Sequence, residues 1–332
     1  MTRFAEILAE RGVLLGDGGM GTGLFQQGLT TGDSPELWNV ERPDAVRAVH
    51  RGFVEAGSDI ILTNSFGGSR ARLKLHSAQG RVAELNRAAA KVAREAADEA
   101  DRPVLVGGSI GPTGELMVPL GALTADEAVG IFTEQAQALA EGGVDVLWIE
   151  TMSAPEEVEA AVKGAATAGL PIVSTMSFDT NGRTMMGLTP EAAVTFFAGL
   201  PTRPVAYGAN CGIGPAQLLA TLLGFRNAAS PDDIIVAKGN CGIPEYRDGH
   251  IHYSGTPDVM ATYAHLARNA GARIVGGCCG TQPVHLRAMR AALDEAAGPV
   301  PDLEMVAATL GPITAPVVQQ GEPAQRRRRA RA

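Results

Sequence analysis

The 332-residue sequence has only four cysteines, and no apolar run is long enough to cross a bilayer. So few cysteines, without a stretch typical of a secretory signal, argue against a disulfide-stabilised extracellular protein. A basic excess is also missing, because 36 acidic residues outnumber 28 basic ones and give a formal net charge of -8. We therefore expect a cytoplasmic protein with reduced thiols that binds neither nucleic acid nor membrane.

Eight short runs rich in Val, Ile, Leu, Ala and Gly alternate with segments of helical pattern, and this order predicts a (β/α)8 TIM barrel. The predicted strands are residues 12–18, 59–65, 103–109, 144–150, 171–177, 204–211, 233–240 and 273–279. A doubly wound open sheet is the alternative, but residues 16–23 are glycine-rich without the G-x-G-x-x-G spacing. We expect one α/β barrel domain over residues 1–297 and a largely disordered C-terminal extension over residues 298–332, which ends in an arginine-rich run.

The active site of such a barrel forms at the carboxyl ends of its strands. The residues at the predicted strand ends are Asp17, Asn64, Ser109, Glu150, Ser177, Asn210 with Cys211, Asn240 with Cys241, and Cys278 with Cys279. This set contains no lysine and no histidine, which argues against a Schiff-base lysine or a histidine base. Thiolates, two carboxylates and neutral polar groups remain as candidates.

Three of the thiols are expected to meet, because Cys211 ends the sixth predicted strand and Cys278-Cys279 ends the eighth, on either side of the seventh. Three thiolates with an open fourth position are typical of a zinc that binds and activates a substrate, whereas structural zinc has four protein ligands. Buried cysteines can also be small apolar fillers, but adjacent thiols flanked by glycines are not needed for packing. We expect Cys241 to pack; four-sulfur coordination would instead indicate a non-enzymatic zinc or thiol sensor.

The carboxylates of Asp17 and Glu150 end the first and fourth predicted strands. Such residues often cap helices, but two carboxylates at a barrel mouth also suit a ligand with an ammonium group. Together with a thiolate-bound zinc and the N–H groups of the Gly18-Gly19 turn, they suit an amino acid that carries a thiol.

These residues lie in motifs that resemble the homocysteine S-methyltransferase family. The motifs are Asp17-Gly18-Gly19-Met20-Gly21-Thr22, Thr63-Asn64-Ser65-Phe66, Gly108-Ser109-Ile110-Gly111-Pro112-Thr113, Ile149-Glu150-Thr151, Gly208-Ala209-Asn210-Cys211 and Gly276-Gly277-Cys278-Cys279-Gly280. The resemblance covers roughly residues 10 to 295, and the Asn-Cys-Gly and Gly-Gly-Cys-Cys-Gly combination is its most specific part. Within the family, stretches such as Pro35-Glu36-Leu37-Trp38-Asn39-Val40 are most similar to bacterial betaine–homocysteine methyltransferases.

The resemblance implies that Cys211, Cys278 and Cys279 bind zinc and that Asp17, Gly18 and Glu150 bind homocysteine. It also implies transfer of a methyl group from betaine to the homocysteine thiolate, giving methionine and dimethylglycine with no catalytic residue beyond the zinc site. S-methylmethionine or another sulfonium donor is the alternative. A methylcobalamin-dependent reaction is less expected, because the sequence ends without the further domains that it needs. The expected partners are these small molecules, and a homo-oligomer is compatible with them.

Aromatic side chains are candidates for the methyl-donor pocket, because ring faces attract quaternary ammonium groups. Phe66, Trp38 and Tyr207 are the predicted rings, with Phe25 as a further one. Animal members of the family carry a tyrosine shortly after the second strand, where this sequence has Gly67-Gly68, so the pocket here is expected to be built differently.

Overall fold

The computed structural model describes residues 2–247 and 250–313. Its ten strands are β1 (Leu14–Leu15), β2 (Ile60–Leu62), β3 (Leu105–Ile110), β4 (Val146–Met152), β5 (Ile172–Met176), β6 (Ala206–Cys211), β7 (Ile235–Gly239), β8 (Pro244–Arg247), β9 (His250–Tyr253) and β10 (Ala272–Gly277). Eight of them form one parallel sheet in the order β1-β10-β7-β6-β5-β4-β3-β2, and β8 pairs with β9 as an antiparallel hairpin. The hairpin was not predicted from the sequence.

Hydrogen bonds made by Asp59 and Asp17 link the segment around β1 to β2 and bring the two ends of the sheet together. The N–H of Asp59 donates to Leu15 O at 2.7 Å, and the N–H of Leu15 donates to the Asp59 carboxylate at 2.8 Å. The N–H of Leu62 donates to Asp17 Oδ2 at 2.7 Å. The sheet is therefore a nearly closed barrel, and the predicted (β/α)8 fold is confirmed.

Helices alternate with the barrel strands. They are α1 (Arg3–Arg11), α2 (Met20–Gln26), α3 (Trp38–Glu41), α4 (Pro43–Glu55), α5 (Arg70–Leu73), α6 (Val82–Asp98), α7 (Ala125–Glu141), α8 (Pro155–Ala166), α9 (Pro190–Gly199), α10 (Pro215–Ala228), α11 (Pro257–Asn269), α12 (Pro283–Asp294) and α13 (Leu303–Leu310). Six begin with proline, whose missing N–H costs nothing in the first turn. Thr124 and Glu127 form a capping box at the start of α7. None of the described helices combines the length and apolar character of a membrane span.

Side chains of α1 and of the strands fill the inside of the barrel at the end opposite the cavity. Phe4 and Leu8 of α1 pack with inward-facing strand residues such as Leu14. Nearer the cavity, Trp148 and Lys238 occupy the space that inward-facing glycines leave open. Alternation along the strands sends the other residues outward, against the surrounding helices.

The C-terminal extension begins with ordered structure. Helix α13 contacts α10 and α11, and Val306 is fully buried there. The prediction of disorder is therefore wrong for residues 303–310, because the apolar face of α13 packs against α10 and α11. Residues 314–332, including the arginine-rich run, lie outside the described residues.

Candidate active site

A cavity of about 1310 Å³ opens at the carboxyl ends of the barrel strands. Its wall includes the predicted carboxylates Asp17 and Glu150 and the three thiols of Cys211, Cys278 and Cys279. The thiols and carboxylates predicted from separate strand ends therefore face one space.

The three thiols form a compact cluster. Their Sγ atoms all lie within 4.8 Å of one another, and each residue is partly buried. Two sulfurs of one tetrahedral zinc are about 3.8 Å apart when the Zn–S bonds measure about 2.3 Å, so small side-chain movements bring the cluster to metal geometry. Contacts with Cys278 and Cys279 lower the pKa of the Cys211 thiol, whereas those with Cys211 raise the pKa of the other two. The cluster thus favours a shared thiolate, which suits a metal cation.

Asn210 on β6 and Asn240 just after β7 both contact this cluster, and Asn210 Nδ2 lies 3.9 Å from Cys278 Sγ. Asn240 donates to Cys211 Sγ at 3.4 Å and accepts from the N–H of Cys279 at 3.0 Å. Asn210 donates to Thr151 Oγ1 at 2.7 Å, and the N–H of Thr151 donates back to it at 2.8 Å. Both Cys211 and Thr151 adopt the left-handed backbone conformation, with φ of 64° and 61°. Such strain in residues other than glycine is concentrated at functional sites.

Cys241 lies outside the cluster. Its side chain is fully buried, and its thiol donates to Gly255 O at 3.2 Å. Burial raises the pKa of this thiol to about 11, so it remains protonated and apolar in character. This position agrees with the packing role expected from the sequence.

Asp17 does not face the cavity as a free carboxylate. Lys238, on β7, forms a salt bridge with Asp17 Oδ1, and both side chains are almost completely buried. The Lys238 ammonium also lies 5.5 Å from the centre of the Trp148 ring. The prediction that no cation occupies the mouth is therefore wrong, because Lys238 reaches Asp17 from two residues before the strand-end Asn240.

Glu150 remains more available than Asp17. Its Oε1 accepts a hydrogen bond from Ser109 Oγ at 2.5 Å. Burial raises the pKa of the Glu150 carboxyl, and the nearby Lys238 ammonium opposes this shift. Burial alone would lower the pKa of Lys238, but Asp17 and Glu150 together raise it and keep this side chain charged.

The predicted donor-pocket rings separate into two groups. Phe66 lines the cavity and is 38% exposed. Tyr207 is buried on the outer face of β6, where its hydroxyl donates to Asp233 at 2.6 Å, and Trp38 lies beneath the guanidinium of Arg42. Neither lines the cavity formed by the described residues. The assignment of Trp38 and Tyr207 to the donor pocket is corrected accordingly.

Other cavity residues come from parts of the chain that the strand-end analysis missed. The β8–β9 hairpin contributes His252 and Tyr253, and His285 comes from α12. The Tyr253 ring packs against Gly280, and its hydroxyl contacts the Cys279 thiol. Asp248-Gly249, a dipeptide typical of tight hairpin turns, was the sequence signal for this hairpin, although these two residues lie outside the described part of the chain.

Comparisons with known proteins agree with this geometry. A model of the homocysteine S-methyltransferase family matches residues 14–293. Methionine synthases from Mycobacterium tuberculosis and Mycobacterium leprae are 32% and 31% identical over 309 residues, covering 88% of this chain but 25% of each relative. The chain therefore spans about a quarter of the length of these relatives.

A solved structure of a homocysteine methyltransferase matches this chain over nearly the whole length of that protein. The metallated form of the homocysteine methyltransferase MmuM from Escherichia coli superposes with a TM-score of 0.71 and 26% identity. The match covers 86% of this chain and 98% of MmuM. The chain belongs to the homocysteine S-methyltransferase family.

Proposed function

We propose that this chain transfers a methyl group from betaine to the thiolate of homocysteine, giving methionine and dimethylglycine. The observation that carries the proposal is the meeting of three thiols and two carboxylates in one cavity at the barrel mouth. The family membership supports homocysteine as the acceptor, and the name of the mycobacterial relatives supports methionine as the product.

The family is zinc-dependent, and Cys211, Cys278 and Cys279 are the proposed ligands. An ordinary thiol has a pKa near 8.5, so little of it is thiolate at neutral pH. Zinc, when bound, supplies the positive charge that keeps the homocysteine sulfur ionised and nucleophilic. Three protein thiols leave a fourth position for that sulfur.

The homocysteine amino group is proposed to lie against the two carboxylates. Glu150 makes the direct contact, because its carboxylate has one hydrogen bond from Ser109 while Asp17 already pairs with Lys238 and Leu62. Gly18 lines the same part of the cavity, and a Cβ there would lie 2.4 Å from Thr281 O, so only glycine fits. Two carboxylates and one ammonium leave one net negative charge for the substrate ammonium.

Methyl transfer needs alignment rather than a proton donor. The sulfur lone pair forms the new C–S bond while the methyl C–N bond of betaine breaks, and the electron pair stays on nitrogen. Dimethylglycine therefore leaves as a neutral amine without general acid catalysis. The protein contributes by holding the sulfur and the methyl carbon in line and by excluding water.

Aromatic rings at the cavity support a quaternary ammonium donor. Phe66 and Phe25 line it, and Tyr253 adds a third ring beside the thiols. A tyrosine at position 68 would crowd its surroundings, since a Cβ there would lie 2.6 Å from Asn86 Oδ1 and 2.9 Å from Ser65 O. Because Tyr253 of the hairpin lines the cavity beside the thiols, it is proposed to take the place of the ring that animal relatives carry after the second strand.

A panel of methyl donors tests the proposal. Zinc-loaded protein is incubated with homocysteine and, separately, betaine, S-methylmethionine and methylcobalamin, and products are identified by mass spectrometry. We expect methionine and dimethylglycine from betaine. Methionine from another donor but not from betaine would overturn the donor assignment alone, whereas methionine from none of them would contradict the methyltransferase assignment.

A further inference from the structure

Arg72 is a cavity-lining cation without a protein partner. It lies on α5, it is partly buried, and it lines the same cavity as Phe66. Within the described part of the chain, its guanidinium makes no hydrogen bond and no ion pair. Lys238, by contrast, is bound to Asp17. Arg70, which lies on α5 with Arg72, pairs with Glu134 at 2.7 Å.

Two acidic residues that line the cavity, Glu36 and Asp33, are already engaged. Glu36 accepts from the N–H of Gly67 at 2.7 Å and from Ser34 Oγ at 2.7 Å. Asp33 accepts from Thr30 Oγ1 at 2.6 Å. A guanidinium beside a ligand cavity with no such partner is poised to bind an anionic group of the ligand.

Glycines of one loop place Arg72 and Phe66 on the same wall. A Cβ on Gly111 would lie 2.7 Å from the Phe66 ring, and a Cβ on Gly114 would lie 2.8 Å from Arg72 Nη1. Gly114 also has a φ of +79°, which side chains rarely adopt. The loop after β3 therefore keeps room for an aromatic face and a guanidinium close together.

We propose that Arg72 binds the carboxylate of the methyl donor, while the Phe66 face receives its methylated cationic centre. This rests on the proposed methyltransferase function and narrows its donor to small onium compounds that carry a carboxylate. A donor without a carboxylate leaves Arg72 unpaired beside a second positive charge and is rejected. Betaine fits this class, whereas its carboxamide and choline do not.

Binding and turnover together test Arg72. Betaine binding to zinc-loaded protein without homocysteine, where no methyl transfer can occur, is measured by calorimetry for wild type, Arg72→Gln, Arg72→Lys and the matched control Arg70→Gln. We expect betaine affinity to fall roughly 10- to 100-fold in Arg72→Gln and to recover in part in Arg72→Lys, with homocysteine affinity and zinc content unchanged. Arg70→Gln should match wild type.

The preference for betaine over its carboxamide gives a readout that a purely structural role would not change. Wild type should prefer betaine, and Arg72→Gln should lose that preference. Equal betaine affinity in wild type and Arg72→Gln, or a loss of homocysteine affinity instead, would overturn the assignment. If wild type binds betaine through Arg72 but forms no methionine, the reaction is wrong and the carboxylate site stands.

Discussion

Lys238 changes how the two cavity carboxylates can serve a substrate. Its ammonium and the N–H of Leu62 occupy both oxygens of Asp17. Glu150 shares one oxygen with Ser109. At the level of single residues, we therefore propose Glu150 as the direct partner of the homocysteine ammonium, because the Asp17 carboxylate is already neutralised by Lys238.

Replacing Glu150 by Gln is expected to weaken homocysteine binding. Loss of one charge-assisted contact costs about 1.5–3 kcal/mol, which is roughly a 10- to 150-fold rise in the dissociation constant. Calorimetry on zinc-loaded protein measures it, with Glu156→Gln as the control, because Glu156 is exposed at the start of α8. An unchanged dissociation constant in Glu150→Gln would show that the ammonium binds elsewhere.

Replacing Lys238 by Met is expected to destabilise the fold, because it leaves the buried Asp17 carboxylate without its cation. Breaking one side of a buried ion pair costs about 3–5 kcal/mol. The double variant Asp17→Asn/Lys238→Met should lose less than Lys238→Met, since neither charge remains. Urea unfolding measures the three free energies. A double variant at least as unstable as Lys238→Met would refute the pairing argument.

Strands β6 and β7 show which parts of the site could be predicted from the sequence and which could not. Residue alternation places Asn210 inward on β6, and Tyr207, three residues earlier, must then face outward. That parity already argued against Tyr207 as a donor-pocket ring. Lys238 was missed because only strand ends were considered, although a lysine in the apolar strand Ile235–Gly239 requires a buried anion.

Cys211 shows where residue alternation along a strand predicts the wrong side-chain direction. Simple alternation after Asn210 would turn its side chain outward, away from Cys278. The left-handed conformation at Cys211 breaks the alternation and brings its thiol to the cluster. Its place in the site could be predicted from the motif, but the backbone geometry that achieves it could not.

Helix α4 carries a buried histidine whose titration affects stability. His50 is fully buried, and neither ring nitrogen has a hydrogen-bond partner among the described residues. Burial lowers the pKa of His50 from 6.5 to about 3. Between these two pH values, the folded protein therefore binds fewer protons at His50 than the unfolded chain does. Its contribution to stability is present above pH 6.5 and is lost progressively as the pH falls toward 3.

Between pH 7 and pH 5, this residue should lower the free energy of unfolding by about 2 kcal/mol. The measurement is urea unfolding of wild type and His50→Leu at both pH values, without zinc so that metal release does not contribute. The loss between the two pH values should be about 2 kcal/mol smaller in His50→Leu. The same pH dependence in both proteins would mean that His50 is hydrated or paired.

At the scale of the whole molecule, the fold and the thiol cluster follow from one regularity. Parallel strands in barrel order place every carboxyl end on one face, so the segments that carry Cys211 and Cys278-Cys279 lie on either side of β7. The left-handed backbone at Cys211 then brings its thiol to the other two. Loop-borne parts such as Tyr253 and Arg72 do not follow from that regularity. Their positions depend on the hairpin and on glycine-lined packing between loops, which strand patterns do not encode.

X-ray absorption at the zinc edge tests the central claim most directly, because it counts the sulfur neighbours of the metal before and after homocysteine is added. We predict one zinc per chain with three sulfur neighbours at about 2.3 Å and a fourth sulfur on addition of homocysteine. Cys241→Ser should give the same spectra, since Cys241 lies outside the cluster. Four sulfur neighbours without homocysteine, or a sulfur count that homocysteine leaves unchanged, would contradict an open thiolate centre that activates homocysteine.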